Sequence, residues 1–337
     1  MASGAEPGAP EAAATTVVVD ERLSCLYWAS TALLSNEEYA AGLPEDEYLR
    51  RTAQVTKLEF FMSSLENAEH LADFPCLVEL AIHLEKVPRA VGLANKPQLQ
   101  RLAMTECGLK RMRGIEACVS LTHLDLSHNK LTEIDAAVLR PLTKLRTLWL
   151  NDNGIDVIAG LEPLAQLTTL WLCANRISAI CDALSGNPAL EELNLAGNHI
   201  ANFKDIPHLS RLRKLTNLCL AEPHFGDNPL CSLCNYQTYV LFHIAHLKRF
   251  DAILITDDLR QLAEAVRLPA APGAPAAARG LLRACAPWCV GLSLLPSPSP
   301  SPSCPCQART PRAPLPPPPA HRPPPARPPA RPCRRRT

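Results

Sequence analysis

An eleven-residue frame, L-x-x-L-x-L-x-x-N-x-L/I, recurs through the middle of this 337-residue chain. Self-similarity at a short fixed period leaves few folds open. The frame reads LTHLDLSHNKL from Leu121, LRTLWLNDNGI from Leu145, LTTLWLCANRI from Leu167 and LEELNLAGNHI from Leu190. LQRLAMTECGL from Leu99 keeps it with Cys107 at the asparagine position. Further out, the segments from Leu77, Val55 and Leu215 keep the apolar positions and lose the asparagine. The eight starting points, 55, 77, 99, 121, 145, 167, 190 and 215, lie 22 to 25 residues apart.

The L-x-L centre of each unit has the alternation of a short strand, with Leu148 and Leu150 pointing inward and Trp149 outward. A single unit cannot enclose its own leucines, so successive strands must stack in parallel over one continuous core. The side chains at the asparagine position meet the chain where it turns away from the strand. Cys107, Asn129, Asn153, Asn175 and Asn198 are therefore expected to form a structural ladder that bonds turn backbone groups. A 22-residue period leaves about eleven residues for the return path, enough for 3₁₀ turns or a short helix.

The extended pattern, best seen as LRTLWLNDNGIDVIAGLEPL from Leu145, resembles the SDS22-like class of leucine-rich repeats over roughly 55–225. Asn228–Pro229, Tyr236, Tyr239, Val240, Leu247, Phe250 and Asp251 resemble that class's C-terminal capping motif. TKLEFF near residue 56, NPLCSLCNYQTYVL and LKRFDAILIT are together similar to the N-terminal repeat array of the leucine-rich repeat-containing protein nine family. The resemblance implies an α/β leucine-rich repeat solenoid with a parallel concave sheet and short helices or 3₁₀ turns on the convex side. It also implies an intracellular, ciliary or axonemal setting. A regulatory subunit of a protein phosphatase is the alternative within the same class, and an RNA-associated repeat protein stands further off.

The flanks differ in composition. Residues 1–19 read as disordered and 20–54 as a helical N-terminal cap, with capping-box spacing at Ser35–Glu38. The repeats occupy 55–226, and 227–266 is the capping segment, ending in a helix for which Thr256 is the expected N-cap. Aspartate and glutamate stop at Glu264: residues 1–264 carry 23 basic and 33 acidic groups (net −10), and residues 265–337 carry 11 arginines and no acid (net +11). Of the 33 prolines, 21 fall in 269–337. Such a Pro/Ala/Arg-rich tail cannot bury enough apolar area to offset its chain entropy and is expected to stay extended. It reads as a linker, as a ligand for an aromatic-lined groove through the P-x-x-P-x-R run Pro329–Arg334, or as a translated intron or wrong frame of a GC-rich gene.

Other classes recede. No apolar run reaches the 18 or so residues of a membrane span, and the first twenty residues lack the basic and apolar regions of a secretory signal. Most cysteines before residue 264 lie among leucine positions, which suggests buried free thiols in a cytoplasmic setting. Phosphate-cradling, zinc-protease and serine-hydrolase motifs are lacking. Cys231 and Cys234 form a lone C-x-x-C, short of the four ligands that zinc requires. The expectation is no enzyme activity, no cofactor and no metal.

The outward strand positions carry the functional reading. Down the stack they run Ala81, Ala103, Asp125, Trp149, Trp171, Asn194 and Cys219. Adjacent tryptophans on consecutive rungs suit a binding hot spot. Asp125, Asn151, Asp152, Glu191, Glu192 and Asn194 are expected to form a polar, acidic rim. The expected ligand is a basic or amphipathic protein segment, with nucleic acid and membrane excluded and oligomeric state open.

Overall fold

The computed structural model describes residues 17–18, 41–61, 68–84, 93 and 96–267. Their centre is a ten-stranded sheet. Its eight repeat strands are Lys57–Phe61, Glu79–His83, Arg101–Thr105, His123–Asp125, Thr147–Trp149, Thr169–Trp171, Glu192–Asn194 and Asn217–Cys219. Each pairs in parallel with the next, leucine opposite leucine, as in Leu124 with Leu148 and Leu148 with Leu170. Arg249–Phe250 continues the stack in parallel beside Asn217–Leu218, and Ile253–Leu254 folds back antiparallel to end the sheet.

The inward positions are sealed. Leu58, Leu80, Leu102, Leu124, Leu148, Leu170, Leu193 and Leu218 are all buried, and they belong to one continuous core with the leucines and isoleucines of the return segments. Those segments are mostly irregular turns, with short helices at Ala136–Leu139 and Ile206–Leu209. Strands stack about 5 Å apart, whereas the return segments are bulkier, so the array bends with the sheet inside.

The flank of the array holds the polar ladder. Asn175 donates through Nδ2 to the carbonyls of Leu150, Leu172 and Cys173 at 2.9, 3.0 and 3.1 Å, and its Oδ1 accepts from the Ile155 N–H at 3.1 Å. Asn129, Asn153 and Asn198 make the same kinds of bond, their Oδ1 atoms accepting from Leu109, Leu131 and Ile177. The buried Cys107 thiol makes weaker contacts, 3.5 Å to the carbonyls of Ile82 and Thr105.

The repeat from Leu215 does not lose this ladder. A hairpin, Ala221–Glu222 against Gly226–Asp227, is inserted after Leu220, and Asn228 takes over beyond it. Asn228 accepts from the Ile200 N–H at 3.0 Å and donates to the carbonyls of Leu195 and Leu220. The capping segment then covers the last leucine layer. Tyr236 donates to Asp251 at 3.1 Å, and the Asp251 carboxylate accepts from the backbone of Leu220 and Ala221. Thr256 Oγ1 accepts from the Leu259 N–H at 3.4 Å at the start of the helix Asp257–Arg267.

A second polar set lies on the opposite side from the sheet, three residues before a repeat's first leucine. Lys96, 2% exposed, donates to the carbonyls of Ala72 and Phe74, and Asn187 donates to those of Leu161 and Leu164. Burial pulls the Lys96 ammonium below its ordinary pKa, with Asp73 opposing.

Three expectations change at this level. Val17–Val18, assigned to a disordered arm, pairs antiparallel with Leu43–Pro44. In the described part of the N-terminal cap, that pairing interrupts the helix: Ala41 is helical, Leu43–Pro44 is extended, and helix resumes over Glu45–Thr52. Residues 19–40, with the capping-box segment Ser35–Glu38, lie outside the described residues. The cysteines are not uniformly buried free thiols: Cys107, Cys118 and Cys173 are, but Cys76 is exposed and Cys181 is disulfide-bonded. The proline-rich tail from residue 268 lies outside the described residues.

Candidate protein-binding face

Trp149 and Trp171 face outward from adjacent strands because each stands between two inward leucines. Their rings stack with centroids 5.1 Å apart and planes inclined by 23°, and both are half-buried. The Trp171 indole N–H donates to Glu192 at 3.1 Å. The Trp149 indole N–H is enclosed and has no acceptor.

On the other side of Trp149 the sheet opens into a shallow groove of about 260 Å³ floored by Ala81, Ala103 and Leu124. Trp149 and Asp125 line one end, and Lys57, Glu59, Glu79 and Arg101 the other. The far end is charge-balanced, with Lys57–Glu59 at 3.8 Å and Arg101–Glu79 at 3.3 Å. His123, between the two ends, has its pKa lowered by partial burial of the ring and then by Arg101.

Among the described residues, the carboxylates around the tryptophans bond only neutral donors. Asp125 accepts from the Ser127 N–H at 2.9 Å. Glu192 accepts from Trp171, and Glu222, on the inserted hairpin, accepts from Asn194 at 3.0 Å.

Two residues assigned to the exposed rim are not on it. Asn151 is 5% exposed, and its Oδ1 accepts from the Cys173 N–H at 3.1 Å, tying one turn to the next. Asn194 is 7% exposed, bonded to the Ala196 N–H and to Glu222. Strand alternation points both outward, and both are covered by groups 22 or 28 residues further on. Asp152 is exposed but lies on the flank, where its carboxylate meets His128 Nδ1 at 3.0 Å.

Asp152 also belongs to a column that frame-reading missed. The residue just before the ladder position is left-handed in successive turns: Leu84, Glu106, His128, Asp152 and Ala174 at φ 47–59°, and Gly197 at φ 66°. The only sequence signal is the clustering of Gly, Asp and His there, residues that tolerate this region.

The described residues contain no group of three or more His, Cys, Asp or Glu arranged to hold a metal ion, and Cys231 and Cys234 are free. No described helix is long and apolar enough to cross a membrane.

A family model described as leucine-rich repeat matches residues 122–268. The chain folds as a leucine-rich repeat solenoid. It is similar to leucine-rich repeat-containing protein 23 of Homo sapiens, 30% identical over 142 residues, covering 42% of this chain and 33% of that protein. The Bos taurus protein of the same name is 29% identical over 145 residues, covering 43% and 34%. The chain thus spans about a third of the length of these curated relatives. Among solved structures, internalin C2 of Listeria monocytogenes superposes with a TM-score of 0.54 at 20% identity, covering 67% of this chain and 91% of that one.

Proposed function

We propose that this solenoid is a non-catalytic scaffold that captures another protein on the concave sheet at Trp149 and Trp171. The observation that carries the reading is the stacked indole pair, half-buried beside an alanine-floored groove and three carboxylates that meet no cation among the described residues. Large aromatics in that setting supply most of the energy at protein interfaces. Carboxylates without cationic partners select a ligand carrying positive charge. Of the basic groups of the face among the described residues, Lys57 and Arg101 are already paired with carboxylates, and Arg249 stands alone on the last parallel rung. So sparse a set of free cations disfavours RNA.

The resemblance of TKLEFF, NPLCSLCNYQTYVL and LKRFDAILIT to the leucine-rich repeat-containing protein nine family favours a cytoplasmic, ciliary or axonemal setting. The SDS22-like register keeps a phosphatase regulatory subunit as the alternative.

Affinity capture with wild type beside a Trp149→Ala/Trp171→Ala variant tests the binding face. The variant stays folded by circular dichroism and loses its partner at least about thirtyfold, roughly 2 kcal/mol. Equal capture by both sinks the reading, and recovery of a phosphatase catalytic subunit selects the alternative.

A further inference from the structure

The concave face and the tail of this chain are matched in charge and in chemistry. Residues 1–264 carry net −10 and residues 265–337 net +11 with no acid at all. On the face, the carboxylates nearest the indoles are the ones that lack a cation, whereas those at the far end of the groove are paired. Trp149 is backed by Trp171 on one side and lines the groove on the other. The alanines at 81 and 103 leave the slot beside it open. An aromatic wall beside a shallow apolar floor is how protein surfaces take polyproline segments, whose fixed backbone loses little entropy on docking. The slot, at about 260 Å³, suits a few residues of extended chain better than a drug-sized molecule.

We propose that the groove beside Trp149 is occupied by the chain's own proline- and arginine-rich tail, through its last stretch, residues 321–337. The prolines of HRPPPARPPARPCRRRT lie against the Trp149 indole and the alanine floor, and the arginines reach Asp125, Glu192 and Glu222. Reach is not limiting. The tail follows a helix ending at Arg267, beside the last rungs of the sheet, and the tryptophans sit a few rungs away at about 5 Å each. Seventy residues separate Arg267 from Thr337, and an extended polyproline chain covers about 3.1 Å per residue. The inference rests on the concave face being a protein-binding surface. It adds that the tail holds that surface in the free protein, so an external partner must displace it.

The test uses the full chain with Trp28→Phe and Trp288→Phe in every arm, so that only Trp149 and Trp171 report. Acrylamide quenching is compared with that of a second chain in which Arg327, Arg331, Arg334, Arg335 and Arg336 are also replaced by serine. The expected result is a quenching constant about twofold lower for the intact tail at low salt. The difference disappears at about 0.5 M salt, where exposed charge pairs are screened. A synthetic peptide of residues 321–337 added to the serine variant should restore the protection.

Equal quenching of the two chains overturns the proposal. If the peptide nevertheless protects the indoles, self-occupancy fails while the binding face stands. Protection that grows with protein concentration also overturns it, because the occupant is then the tail of a second copy. The capture experiment with the Trp149→Ala/Trp171→Ala variant remains the separate test of the face itself.

Discussion

The flank and the concave face of this array are built on the same strands and meet opposite demands. On the flank, Asn129, Asn153, Asn175 and Asn198 each use their amide oxygen and nitrogen fully, in bonds that join one turn to the next. On the concave face, three carboxylates bond only neutral donors among the described residues. A saturated polar set stabilises the fold and has nothing left for a ligand. An unsaturated one adds little to the fold and keeps its bonding capacity for a partner. Position along the strand therefore separates residues that hold the solenoid from residues free to bind.

The largest effect that would break this contrast lies in the ladder. Asn175→Ala leaves the Ile155 N–H without its acceptor and removes one of two donors from each of the carbonyls of Leu150, Leu172 and Cys173, which keep Asn153, Asn198 and the Asp152 N–H. It should cost about 3 kcal/mol, at the upper end for a buried donor left unmet together with three weakened acceptors. Cys107→Ala, at the same position but with two long thiol contacts, should cost about 1 kcal/mol. Urea denaturation of both variants measures the gap, and equal midpoints would show that the ladder is not what the amides stabilise.

Gly197→Ala comes next. A methyl built there meets the Phe225 carbonyl oxygen far inside contact distance, and the backbone is at φ +66°. The hairpin carrying Phe225 must shift, for a loss of about 2 kcal/mol. Because that hairpin also carries Glu222, the variant should disturb the concave face as well. A thermal melt beside the acrylamide measurement reports both, and an unchanged melting temperature would mean that the hairpin is loosely held.

Alkaline titration probes the buried thiols. Burial, aided by Glu116, pushes the Cys118 pKa up to about 11, and burial with Asp251 and Glu222 pushes Cys219 up to about 12. The unfolded thiol ionises near 8.5, so the folded state holds its protons longer. Their contribution to stability is complete below about pH 8.5 and is lost as pH rises towards 11 and 12. Urea midpoints should fall from about pH 9 upward, and Cys118→Ala should flatten the decline. A decline identical in Cys118→Ala would assign it to other groups.

The smallest effect separates backbone from side chain on the flank. Asp152 is exposed, with φ +47°, so exposure alone predicts that replacing it is neutral. The left-handed backbone predicts otherwise. Asp152→Ala should lose about 1 kcal/mol and Asp152→Gly should lose less or gain a few tenths. Identical denaturation curves for the two would remove the backbone argument.

Legibility followed the locality of each cause. The strands, the inward leucines and the asparagine column could be read because each role recurs at a fixed spacing, and misreading one rung would contradict its neighbours. Asn228 escaped because the hairpin at 221–227 displaces it from the frame, although the N-x-L spacing of Asn228 to Leu230 matches Asn129 to Leu131. Lys96 and Asn187 escaped because they occupy a position where other turns carry leucine or cysteine, and a polar side chain there reads as a loop residue.

The sequence by itself determined the repeat, the parallel stack, the inward and outward sense of each strand residue and the placement of two tryptophans on adjoining rungs. Those follow from period and alternation, which act within a dozen residues. The tertiary structure alone decided which outward residues remain available. Asn151 and Asn194 are withdrawn by Cys173 and Glu222, Lys57 and Arg101 are neutralised by carboxylates on the same face, and Asp125 and Glu192 meet only neutral donors among the described residues. Availability depends on what the neighbouring turns place beside a side chain, and those neighbours lie one or more repeats away along the chain.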